Sequence, residues 1–188
     1  MEAAGVLDER ASALLGLVGP LVAFSSVALA ILLSPGFSWQ RSALSDLGHA
    51  TASGVAPLFN FGLLLGGFLV AIYSVAALAA RARYTSYGLL VSALLLQLVA
   101  VFDEVYGSLH FSVSVLLFAS FGFASVAYAV EKRSVLAAVS VAIGLCAWSL
   151  YYAGVYDGGI AIPETISSLA SGSWVVWSAL PAIKAGRK

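Results

Sequence analysis

Charge is what this chain has least of. Nine Lys and Arg and nine Asp and Glu in 188 residues leave 10% charged residues against 61% hydrophobic ones, far from the roughly 25% charged and roughly 45–50% apolar mix of soluble domains. That scarcity excludes an ordinary soluble domain. The formal net charge is zero and no basic block exceeds the tail residues Lys184, Arg187 and Lys188, so the electrostatic footprint of a nucleic-acid binder is missing. The single cysteine, Cys146, allows neither a disulfide framework nor a CxxC redox pair within one chain; set in an apolar run, it is expected to pack as a small buried hydrophobe. Two histidines exclude a three-histidine zinc site. There is no GxSxG elbow and no repeat with a period of about 20 to 50 residues.

What is present is a series of apolar runs. Crossing the hydrocarbon takes about 20 apolar residues as a helix, and six windows qualify: 13–33, 57–80, 86–106, 109–130, 134–154 and 163–183. The expected fold class is an all-α integral membrane protein, one compact six-helix domain over residues 1–188 with short connections and antiparallel neighbours. Glu2, Asp8 and Glu9 precede the first run in place of a basic n-region, so it is expected to be retained rather than removed as a signal peptide. An even number of spans puts both termini on one side. That side carries Arg10, Arg81, Arg83, Lys132, Arg133, Lys184, Arg187 and Lys188 against Arg41 alone opposite, so the positive-inside rule makes both termini cytoplasmic in a multi-pass cell-membrane protein. Gly62 and Gly66 form a GxxxG, and small-residue faces of this kind allow close helix approach within the chain or between copies in a homo-oligomer. Trp39, Trp148, Trp174 and Trp177 are expected in the interfacial belts.

The opposite side is acidic. Asp46, Asp103, Glu104, Asp157 and Glu164 fall there with both histidines, His49 and His110. Two adjacent carboxylates at the end of a span are costly beside hydrocarbon, and a tight reversal through Gly107 and Ser108 brings His110, with Ser114 one turn on, near Glu104. Asp103, Glu104 and His110 are therefore the candidates for general acid–base chemistry. Ser45, Asp46, His49, Asn60 and Glu164 are the candidate ligand-binding residues, although a carboxylate such as Glu164 in the first turn of the last span also suits a helix dipole. If the clusters 45–49 and 103–110 converge, His49, His110, Asp46 and Glu104 would make a four-ligand set for a divalent metal such as zinc. Ser45 as a nucleophile would need His49 or His110 as its base.

Pro35-Gly36, then Ser45-Asp46-Leu47-Gly48, then Phe59-Asn60 heading a Gly-rich span, then an acidic pair and a histidine between spans three and four, together resemble the bacterial and archaeal six-span membrane family called domain of unknown function 998. The Ser-Asp-Leu-Gly and Phe-Asn elements are more distantly similar to those of the Frag1/DRAM/Sfk1 membrane proteins, a likeness that implies a role among membrane lipids; Leu47 replaces their threonine. The spacing of Ser45 and His49, with Asp103, is similar to one motif of ceramidase-like and PAQR-like intramembrane hydrolases, but the later His-x-x-x-His of those enzymes is missing, so their zinc chemistry does not carry over. The expectation is an outward polar pocket that binds a lipid headgroup or cation, with membrane lipids as partners and metal-assisted lipid hydrolysis as its strongest form. Small-cation or proton-coupled transport and a purely structural bundle are the alternatives. Transporters place ionisable groups near the midplane, whereas these sit at headgroup depth.

Overall fold

The computed structural model describes residues 9–185; Glu2, Asp8, Arg187 and Lys188 of the charge count lie outside the described residues. It is all-helical: α1 (Glu9–Leu32), α2 (Ala56–Tyr73), α3 (Arg83–Val101), α4 (Ser108–Lys132), α5 (Val135–Tyr152) and α6 (Ala161–Ala185), with no strand among the described residues. All six are long and apolar enough to cross a membrane, with mean hydropathies from 1.3 to 2.2. Short 3-10 turns, Ser45–Gly48 and Glu104–Tyr106, punctuate two connections, and a π-helical segment, Ser74–Leu78, extends α2.

The third span ends at Val101, five residues earlier than expected, because Phe102 leaves the helix and the Asp103 side chain accepts the Val105 N–H (2.8 Å), capping a separate turn. That use of a carboxylate at an N-terminal cap is the ordinary one. The other boundaries fall within four residues of those expected, except that α2 ends at Tyr73 and the π-helical segment carries the span on to Leu78.

Successive helices pack on one another and α6 returns to α1, closing a ring. Close approach depends on glycine. A Cβ on Gly62 would lie 2.1 Å from the Ser26 side chain, and one on Gly66 would lie 2.8 Å from Ala23, so the GxxxG of α2 is consumed against α1. Gly67 meets the Ala93 carbonyl of α3 in the same way. These glycines of α2 thus serve close approach within the chain.

The connections 33–55, 102–107 and 153–160 gather at one end, the mouth; the other, the termini end, holds the start of α1 and the end of α6 with Arg10, Arg81, Arg83, Lys132, Arg133 and Lys184. In the half nearer the termini the interior is filled. Trp174 is fully buried, stacks on Tyr128 (centroids 5.1 Å apart) and donates its indole N–H to Ser125 Oγ (2.7 Å). Tyr73 and Ser178 share a hydrogen bond of 2.8 Å beside it, within a cluster that includes Leu78, Leu89, Val175 and Ala179. Trp174 is thus a core residue, not the belt residue its type suggested, because its one donor finds Ser125 in the bundle. Cys146 differs too: it is exposed on α5, since only the small stripe Ala137, Ser140 and Ala147 of that helix is buried.

At the termini end, Glu131 of α4 accepts the Tyr84 N–H (2.9 Å), the Thr85 N–H (2.8 Å) and the Thr85 hydroxyl (2.5 Å). The orphan donors of α3 are satisfied from a neighbouring helix instead of by a local cap. Glu131→Gln keeps the shape but not the charge, and is expected to cost about 1 kcal/mol, read as a lowered midpoint of thermal unfolding in micelles.

Candidate functional site

At the mouth, the Ser45–Gly48 turn is clamped onto the head of α2. Asn60 Nδ2 donates to the Gly48 carbonyl (2.8 Å), Leu47 is buried, and a Cβ on Gly48 would fall 2.5 Å from Asn60 Oδ1 and 2.8 Å from the Phe59 ring. Asp46 Oδ2 accepts the Ala43 N–H (2.8 Å) and so closes the approach to the turn. The motif residues therefore build a rigid support. What it presents is Ser45, whose hydroxyl donates to Glu104 Oε1 (2.5 Å). Gly48→Ala is expected to cost about 1–3 kcal/mol through overpacking and to expose the 45–55 connection to limited proteolysis; cleavage no faster than in the wild type would refute the clamp.

Glu104 also meets His110, with Oε1 to Nε2 at 3.3 Å, as the tight reversal required. His110 Nδ1 donates to the Phe102 carbonyl (2.7 Å), which can only accept, so Nδ1 carries a proton. Nε2 then faces the Glu104 carboxylate and, at 3.3 Å, the Ser114 hydroxyl. His110 and Glu104 therefore form a contact pair at the mouth, with Ser114 beside it.

Glu164 joins them from α6. Its carboxylate does not cap its own helix: Oε2 accepts the Leu44 N–H (2.7 Å), 120 residues away in sequence. Gly159 N–H to Trp39 O (2.8 Å) and Ala161 N–H to Ser42 O (3.0 Å) stitch the same connection to the start of α6. A Cβ on Gly159 would sit 2.6 Å from the Ser42 carbonyl, so this seam needs glycine.

The expected cluster is therefore assembled only in part. Ser45, Glu104, His110, Ser114 and Glu164 converge. Asp103 is buried and spent on its cap, Asp46 on Ala43, and Asn60 on Gly48. His49 contacts Thr51 (3.4 Å). The four-ligand set of His49, His110, Asp46 and Glu104 is not brought together: among the described residues no three His, Cys, Asp or Glu side chains group so as to hold a metal ion. Ser45 touches a carboxylate and not a histidine, so the nucleophile–base contact is not formed there.

Two cavities meet at the converged residues and share Ser45, Ser114, Phe118 and Glu164. The inner one, about 430 Å3, descends from Trp39 and Leu44 to Val70, Ala93 and Val175 between α1, α2, α3, α4 and α6. It is almost wholly apolar below Ser168. On α1 its wall runs from Ile31 to Gly19, twelve residues or about 18 Å at about 1.5 Å per residue, close to one leaflet of a hydrocarbon core about 30 Å thick. Ala28 and Leu169 of this wall are exposed to the bilayer side. The second cavity, about 320 Å3, is a vestibule between α4, α5 and the mouth, walled by Phe111, Phe118, Trp148 and Tyr152. Both volumes fall in or near the range of small-molecule sites, about 300–1,000 Å3. Sequence reasoning missed Trp148 and Tyr152, since aromatics near a span end read as belt residues, and it had no means of seeing the inner cavity.

A family model described as protein of unknown function (DUF998) matches residues 17–181, nearly the whole bundle including every motif residue. The chain belongs to this family. No curated protein and no solved structure matches this DUF998 member.

Proposed function

We propose that this DUF998 protein binds a single membrane amphiphile, with its hydrocarbon in the inner cavity and its headgroup at Ser45, Glu104, His110 and Glu164. One observation carries the reading: an apolar cavity one leaflet deep ends at a small set of converging polar side chains. A lipid has that division of polarity and about that length. The basic residues at the termini end make it the cytoplasmic side by the positive-inside rule, so the mouth faces outward at the level of the outer headgroups. Conduction of a cation would need a hydrated path to the other end, and there the buried Trp174, Tyr73 and Tyr128 fill the bundle.

Ser168 lines the inner cavity on α6 and makes no hydrogen bond among the described residues, so Ser168→Phe fills the space without removing a polar contact. Purified wild-type protein is expected to retain close to one amphiphile per chain by lipid extraction and mass spectrometry, and Ser168→Phe at least tenfold less at similar thermal stability. Wild-type protein that carries no amphiphile after delipidation and re-addition of a membrane lipid extract would sink the reading.

A further inference from the structure

The vestibule differs from the inner cavity in chemistry. Two carboxylates, Glu104 and Glu164, line it, and no Lys or Arg lines either cavity among the described residues. The histidine present, His110, is already committed to Phe102 and Glu104. Glu104 Oε1 receives Ser45 and His110, and Glu164 Oε2 receives Leu44; Glu104 Oε2 and Glu164 Oε1 have no partner among the described residues. Each is an acceptor left for something else.

The opposite wall is aromatic and packed into a fixed arrangement. Trp148 meets Phe118 edge-on (centroids 5.1 Å apart, planes at 67°) and stacks on Tyr152 (5.9 Å, 24°). The Trp148 indole N–H is buried without a partner among the described residues. Phe111 and Tyr152 are exposed toward the bilayer, at 61% and 70%, so the vestibule opens at headgroup depth. Aromatic faces attract cations through the ring quadrupole, and an ammonium group between such faces and carboxylates is stabilised by both. A sulfate or bare phosphate would meet two carboxylates and no Lys or Arg.

We infer that the vestibule selects an amphiphile whose headgroup bears an ammonium group, held between Glu104 and Glu164 on one side and the Trp148, Phe118 and Tyr152 rings on the other. This rests on the amphiphile reading above and names the class of headgroup. The tail continues through the shared opening at Ser45, Ser114 and Phe118 into the inner cavity. An ester or phosphoester oxygen beside the ammonium, as in a zwitterionic headgroup, would satisfy the indole donor of Trp148.

The full chain in maltoside micelles is titrated with four probes: dodecyltrimethylammonium, dodecyl sulfate, dodecanol and tetramethylammonium, with binding followed by native mass spectrometry and tryptophan fluorescence. Dodecyltrimethylammonium is expected to bind at least tenfold more tightly than the sulfate or the alcohol. Tetramethylammonium, which lacks the tail, should bind at least a hundredfold more weakly. The double variant Glu104→Gln with Glu164→Gln should reduce the ammonium preference to threefold or less while leaving the alcohol unchanged, and Trp148→Leu should weaken the ammonium probe several-fold. Sulfate or alcohol binding as tightly as the ammonium probe overturns the headgroup assignment and leaves the amphiphile reading standing. Tetramethylammonium matching the long-chain probe identifies a water-soluble cation and overturns both, as does failure of all three dodecyl probes to bind.

Discussion

Trp174→Ala is expected to be among the most damaging single substitutions in the bundle, costing roughly 3 kcal/mol, the low end for removing a buried aromatic. The low end applies because the unfolded reference for a membrane protein is helices in lipid, so part of the transfer term that operates in water is absent. What remains is the loss of packing around a fully buried ring, its stacking on Tyr128, and its bond to Ser125. Trp174→Phe separates these contributions. It keeps most of the ring contacts and removes the donor, and since Ser125 Oγ still donates to the Phe121 carbonyl (2.7 Å), it should cost about 1 kcal/mol. Equal losses for the two variants, measured by reversible unfolding in mixed micelles, would show that the hydrogen bond and not the packing holds the filled half together.

The second large effect is expected at Gly62. A Cβ there would lie 2.1 Å from both Cβ and Oγ of Ser26. Rotating the serine can move Oγ but not Cβ, so α1 and α2 must separate. The cost of overpacking is typically about 1–3 kcal/mol, and here it falls at the upper end because Gly66 against Ala23 and the Gly19 carbonyl depends on the same approach. Ser26→Gly in the same chain clears the obstructing atoms. The double variant should recover most of the lost stability, a strongly non-additive pair as expected for residues in contact. Additive losses would place the damage somewhere other than this crossing.

The spans were legible because lipid demands long apolar runs and backbone satisfied within each segment. The pair of Glu104 and His110 was legible as well, since six residues and a glycine turn leave little freedom for their separation. Three things were not. Asp103 and Glu104 are equivalent as text, yet one caps a turn and the other lines a cavity; the choice depends on Phe102 leaving the helix. Glu164 fits the first turn of α6 as a dipole partner, and nothing local says that its carboxylate reaches Leu44 across 120 positions. Glu131 stands in the sequence as one more charge near a helix end, whereas it caps α3 from α4. The last two are long-range satisfactions of backbone donors. Pattern along one helix carries no information about donors on another.

The motif Ser45-Asp46-Leu47-Gly48 with Phe59-Asn60 shows the same division. Its spacing pointed to the right place in the chain, and in the structure its members divide between support and presentation. Leu47, Gly48 and Asn60 hold the turn, Asp46 closes its approach, and only Ser45 reaches the converged cluster.

The lone thiol at position 146 lies on the exposed side of α5, the helix whose wall includes Trp148 and Tyr152. A spin label or small fluorophore attached there needs no background cysteine removed and displaces no core atom. Its distance to a second label on α1 or α3 would report any swing of the vestibule's outer wall in a bilayer, so the native sequence already supplies one end of that molecular ruler.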